Sequence, residues 1–146
     1  MITMNKVFKR LTPLIASFAF SASTLAAHHG TVDEMATKIE GKVIEWRHHL
    51  HQYPELSNRE FKTAAYVEKH LRSLGLEVQT GVAITGVVAV LDSGKPGPVV
   101  ALRADMDGLP VPELNDLPWK SNERGMFNGN DVPVMHACGH DTHVAM

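Results

Sequence analysis

At 146 residues the chain is long enough for one domain and too short for two comfortable ones. A hydrophobic share of 44%, a charged share of 21% and a formal net charge of -2 fit an ordinary globular protein, with neither the basic footprint of a nucleic-acid binder nor an acidic tail. The sequence has no internal repeat or low-complexity tract, which excludes a solenoid and a disordered protein.

Lys6, Lys9 and Arg10 open the chain with positive charge, and Leu11 to Ala22 is apolar with a few small polar residues. "STLAA" then supplies small residues, with Thr24 and Ala26 at the positions three and one before a cut. This is the layout of a secretory signal peptide over 1–27, cleaved after Ala26 or Ala27. The apolar run is shorter than the roughly 20 residues that span a bilayer, and a buried helix would leave the basic start unexplained. The expectation is a mature chain from residue 28, periplasmic or secreted, free of the membrane after cleavage and with His28 and His29 at a solvated start. In an oxidising compartment the single cysteine, Cys138, has no partner in the chain; its thiol is buried and inert, paired between molecules, or held by a metal.

Val32, Met35, Ile39, Val43, Trp46 and Leu50 recur in steps of three and four, which predicts an amphipathic helix to about His51. "YPE" at 53–55 stops it, and "SNRE" at 57–60 reads as a capping box between Ser57 and Glu60. Phe61, Ala64, Val67, Leu71 and Leu74 form the inward face of a second helix that ends at Gly75. "LEVQT" at 76–80 alternates as a half-buried strand, whereas "GVVAVL" at 86–91 and "VVALRAD" at 99–105 are continuous apolar runs. Such runs fit a sheet covered on both faces, so the fold class is α/β. Pairing of 86–91 with 99–105 across the "DSGKPGP" turn is expected, with parallel strands elsewhere in the sheet. Residues 108–134, with four prolines, read as a long irregular connection of functional character.

Two stretches carry chemistry. In "RADMDGLP", Asp105 and Asp107 fall at the end of a predicted buried strand, where α/β folds collect ligand and catalytic groups; a solvated acidic turn is the equal alternative. In "HACGHDTH", one glycine separates Cys138 from His140, and that spacing lets a thiolate and an imidazole converge on one ion. Zn²⁺ prefers this pair, and Mn²⁺, Co²⁺ or Ni²⁺ also accept it in mixed sites. Asp141 is placed to hydrogen-bond a ligand imidazole from behind. His136 and His143 are better read as loop or helix-surface histidines than as ligands. A closed structural zinc site lacks a second cysteine, and the absence of a G-x-S-x-G turn leaves a serine hydrolase without support.

"WRHHLHQYPELS" (46–57), "ALRADMDGLPVPE" (101–113) and "MHACGHDTHVAM" (135–146), in that order, resemble the metal-dependent amidohydrolase and carboxypeptidase family of aminoacylases, hippurate hydrolases and auxin-conjugate hydrolases. The Cys-Gly-His loop is similar to that of the N-acyl-amino-acid amidohydrolase branch. The resemblance implies the N-terminal part of a two-metal peptidase-type catalytic domain, a mixed sheet flanked by helices, over 28–146. Cys138 and His140 match two ligands of a two-metal centre, and Asp107 matches the aspartate that supports the site and its water-activating machinery. Asp105 stands where other branches have a metal-binding histidine and is not assigned as a ligand. Arg47, His51 and Glu55 match a motif read as structural framing. The loop 125–134 is longer than the compact family pattern, which points to different substrate-side details.

The implied reaction is hydrolysis of the amide of an N-acyl amino acid by a water activated between two divalent ions (Zn, Mn, Co or Ni), with a carboxylate as general base. The family's base is a glutamate further along, as are more histidine ligands and an inserted dimerisation or lid domain. None is present here, so the chain is expected to be an N-terminal piece, inactive alone and aggregation-prone, of a protein that is often a homodimer. The alternatives are a carboxypeptidase or dipeptidase of the same family acting on peptides, and a truncated remnant that binds metal weakly.

Overall fold

The structure, a computed structural model, describes the backbone of residues 19–146 and the side chains of residues 31–146. The signal peptide expected over 1–27, and the side chains of His28 and His29, lie outside the described residues. No helix among the described residues is long and apolar enough to cross a membrane. The described residues fall into two units, one ending at Glu40 and one spanning Gly41–Met146.

Helix α1 spans Ala19–Gln52 and starts well before Val32. Alanines at 19, 22, 26 and 27 carry helix propensity that needs no apolar stripe. In the first unit the expected apolar face is bare, with Val32, Met35 and Ile39 all more than half exposed. In the second unit the same spacing is covered, half-buried at Val43 and Trp46 and buried at Leu50. Pro54 ends the helix, as the sequence indicates, and is itself fully buried.

Helix α2 spans Phe61–Ser73, and its cap differs from the expected box. Ser57 does not cap it. The carboxylate of Glu55 accepts from the Thr63 amide at 2.8 Å and from the Thr63 hydroxyl at 3.0 Å, so a residue outside the local motif satisfies the first-turn donors. Glu60 does reach back, accepting from the Asn58 amide at 3.0 Å, and it also accepts from the Thr85 hydroxyl at 2.7 Å. Phe61 and Leu74, expected inward, are about 60% exposed.

Strands β1 (Glu77–Val82) and β2 (Gly86–Val90) form an antiparallel hairpin, with a register shift between Gln79 and Val82. This corrects the pairing expected of the second run. Residues 99–105 form no strand, and Val99 and Leu102 are almost completely exposed. A β-branched run has the propensity for a strand, but a strand forms only where a neighbour takes up its N–H and C=O groups. Among the described residues nothing pairs with this one. The α/β class holds, while among the described residues the sheets are two antiparallel hairpins and the parallel element is the bridge Leu56↔Gly108.

The second hairpin corrects the reading of 108–134 as irregular. Strands β3 (Arg124–Phe127) and β4 (Asn130–Pro133) pair in register around Asn128 and Gly129, both at positive φ (50° and 79°). Asn-Gly is the preferred two-residue hairpin turn, because both positions need the left-handed region. A short helix, α3 (His140–Ala145), closes the chain.

The three motif stretches meet at Gly108. Its amide donates to the Glu55 carbonyl at 2.7 Å, while Leu109 and Met135 exchange two backbone bonds of 2.8 and 3.1 Å. A Cβ at Gly108 would lie 2.8 Å from Pro54 Cβ and 2.9 Å from Val134 Cγ1, so only glycine allows this approach. Among the described residues the buried apolar side chains are few, Leu50, Pro54, Leu56, Val134 and Ala145, against seven buried polar ones including His51, His136 and Asp141. The centre of the unit is therefore held by its polar network as much as by apolar packing.

Candidate metal centre

His140 opens α3 after Gly139, whose φ of 82° turns the loop into the helix. Its Nδ1 lies 2.9 Å from the Asp107 carbonyl oxygen and 3.0 Å from Asp107 Oδ1. Two acceptors at one ring nitrogen require that nitrogen to carry a proton, so in the neutral ring Nε2 keeps its lone pair. This is the tautomer and orientation a metal-ligating imidazole needs. Cys138, two residues earlier, is exposed and has no disulfide.

Thiolate and imidazole suit Zn²⁺ and its neighbours in the transition series, so the chemistry of this donor pair fits the expected ions. Among the described residues no group of three or more His, Cys, Asp or Glu is arranged to hold an ion. Cys138 and His140 are therefore not part of a closed ligand cluster among the described residues.

Asp141, the residue after His140, belongs to a buried ionic chain. His51, in the last turn of α1, places Nε2 2.7 Å from Glu113 Oε1 and Nδ1 2.9 Å from Asp141 Oδ2. Arg47 Nε donates to the same Asp141 oxygen at 3.2 Å. The Asp141 side chain is only 1% exposed. Glu113 also accepts from Asn115 Nδ2 at 2.6 Å and from the Ser121 amide at 2.5 Å. Burial works against charge on His51, but the hydrogen bonds from its ring to Glu113 and Asp141 outweigh it and raise the pKa above the ordinary value. Burial likewise opposes the Glu113 carboxylate, and the donors at His51, Ser121 and Asn115 overcome it and lower its pKa.

The structure brings Asp107 to His140, a contact the sequence did not specify. It gives Asp141 a different imidazole partner from the one expected, since Asp141 holds His51 and not a ligand histidine. His136 lies in a loop but is buried, not on the surface: it is 5% exposed, and among the described residues neither ring nitrogen has a hydrogen-bond partner. Burial lowers its pKa, with the charges of His51 and His140 acting in the same direction against Asp141 and Asp107. His143 is exposed, as expected. Asp105 pairs with the exposed Arg103 at 2.6 Å and faces solvent. Sequence reasoning passed over Glu113; the available signal was an acid directly after Pro112, inside a motif already singled out.

Residues 101–146 match the family model for peptidase family M20/M25/M40. Over 110 residues the chain is 52% identical to a thermostable carboxypeptidase of Saccharolobus solfataricus, covering 75% of this chain and 26% of that protein. It is 44% identical over 115 residues to the N-acyl-L-amino acid amidohydrolase of Geobacillus stearothermophilus, covering 79% of this chain and 29% of that one. The crystal structure of the Bacillus subtilis YXEP protein, a dinuclear metal-binding peptidase of the M20 family, superposes with a TM-score of 0.64 at 35% identity over 75% of this chain and 28% of that one. The chain thus spans about a quarter of the length of the relatives it matches.

Proposed function

Since the chain belongs, over the residues compared, to the M20/M25/M40 peptidase family, we propose that it supplies two metal ligands, Cys138 and His140, to a hydrolase of small amides. In a protein of the relatives' length the substrate is an N-acyl amino acid or a related amide conjugate. The observation that carries this reading is His140 locked through Nδ1 onto Asp107, with Nε2 left free two residues from an exposed thiol.

Two divalent ions (Zn, Mn, Co or Ni), when bound, supply a Lewis acid for the amide carbonyl and a water of lowered pKa. Asp107 acts through His140: it fixes the tautomer and makes the imidazole a stronger donor. Cys138 ligates as the thiolate, so binding releases its proton and is favoured by rising pH. Asp141 holds the start of α3, which carries His140. Asp105, paired with Arg103, takes no part. No general base is assigned among the described residues. The 146-residue chain alone therefore gives no turnover. Cleavage of a signal peptide over 1–27, a periplasmic or secreted location and a homodimer belong to the same reading.

The test is a Co²⁺ titration of the chain, following the thiolate-to-metal charge-transfer band. The band appears in the parent chain and is lost in Cys138→Ser; an equal band in both removes Cys138 as a ligand. A second reading, a carboxypeptidase acting on peptides, is favoured by the 52% identity to a protein of that name. Relative turnover of N-acyl amino acids and of dipeptides by a protein of the relatives' length separates the two.

A further inference from the structure

We propose that His51 is a positioning residue: clamped between Glu113 and Asp141, it fixes α3 and with it His140. The inference rests on the reading of Cys138 and His140 as ligands and adds to it the residue that orients them from another element.

The geometry carries the argument. Both ring nitrogens of His51 face carboxylate oxygens, at 2.7 and 2.9 Å, and the side chain is 9% exposed while those of Glu113 and Asp141 are 0% and 1%. A neutral imidazole has one N–H, so its bare nitrogen would present a lone pair to a buried carboxylate. Only the doubly protonated ring donates to both. The clamp therefore joins three separate stretches, α1 at His51, the 108–123 segment at Glu113 and α3 at Asp141, through one charged ring. The charged and titratable groups facing it are Glu113, Asp141, Arg47, which shares the Asp141 oxygen, and His136, whose ring centre is 6.5 Å away.

Asp141 is the residue after His140, in the first turn of α3, where the amides of Thr142 and His143 donate to the Gly139 carbonyl at 3.0 and 3.3 Å. Asp107 fixes the His140 ring from one side, and the His51–Asp141 bond fixes the backbone that carries it. Removing such an outer partner of a ligand lowers metal affinity by roughly 10- to 100-fold.

The experiment uses the 146-residue chain with Co²⁺ as probe, alongside ¹⁵N NMR of the histidine rings and amide hydrogen exchange. The His51 ring keeps its second proton to higher pH than an ordinary histidine; a His51 that loses it at the ordinary histidine value overturns the proposal. His51→Gln reaches only one of the two carboxylates, so exchange at Thr142 and His143 accelerates and Co²⁺ affinity falls by roughly 10- to 100-fold. The double variant His51→Gln with Glu113→Gln places an amide donor opposite the carbonyl of the substituted side chain and recovers part of both losses. Unchanged exchange and affinity in His51→Gln sink the idea. If the parent chain takes up no Co²⁺, the ligand reading fails, and the ring protonation together with the α3 amides still decides the role of His51. If His51→Gln loses its helical circular dichroism, Glu113→Gln carries the test: it keeps the ring and the Asp141 bond, and the second ring proton must then come off at lower pH.

Discussion

Gly108→Ala tests the crossing that assembles the site. The added methyl would meet Pro54 Cβ at 2.8 Å, Val134 Cγ1 at 2.9 Å and the Met135 carbonyl oxygen at 3.2 Å. The proline ring cannot swing aside, and the carbonyl is committed to Leu109. Overpacking of this kind costs about 1–3 kcal/mol, against which the lost freedom of glycine in the unfolded chain returns about 0.4–1 kcal/mol. The amides that report it are Gly108, Leu109 and Met135, whose bonds cross the junction. Their exchange protection should fall by about 3- to 30-fold, the equivalent of a net loss of about 0.6–2 kcal/mol, measured by NMR on the 146-residue chain. Gly41→Ala is the control: its methyl meets nothing within 4 Å on α1, so helicity rises and the three amides are unaffected. Unchanged protection in Gly108→Ala would show that the motifs are not joined through this contact.

The His51 clamp sets a pH window for stability. The His51 pKa is raised above 6.5 on folding, so its contribution is complete below about 6.5 and is lost as pH rises through the folded value. The Glu113 pKa is lowered below 4.5, so its contribution is complete above about 4.5 and is lost as pH falls through the folded value. Protection of the α3 amides should accordingly be greatest between about pH 4.5 and 6.5 and fall on both sides; a steady rise up to pH 9 would contradict the clamp. Glu55→Ala removes the acceptor of the Thr63 amide and should cost about 1 kcal/mol, seen as faster exchange in the first turn of α2. The exposed run at Val99, Val100 and Leu102 should bind the dye ANS and promote association, and Val100→Lys with Leu102→Lys should reduce both; light scattering that the charges leave unaltered would point to another surface.

Much of the local structure could be read from residue order. The spacing from Val43 to Leu50 gave the covered part of α1, Pro54 its end, Gly75 the end of α2, and the alternation after it β1. Cys138, His140 and Asp107 stood out as candidates, because ligand chemistry shows in residue type and short spacing. The Asn128-Gly129 turn was equally readable and was passed over in favour of the prolines around it.

Partnership over long distance was not readable. Residues 99–105 look like a strand by composition, and whether they form one depends on a neighbour that composition does not name. Ser57 fitted a local capping rule, yet Glu55 caps α2 because the chain folds back to bring that carboxylate to Thr63. His136 had the look of a loop histidine until the 134–136 segment was buried against its neighbours. Above all, His51 and Asp141 stand 90 positions apart. The sequence alone determined which residues could bind a metal and which segments could be helical, since those properties belong to side chains and their near neighbours. Only the tertiary structure decided which acid meets which base, because burial raises the cost of an unpaired charge and so selects partners by position in space.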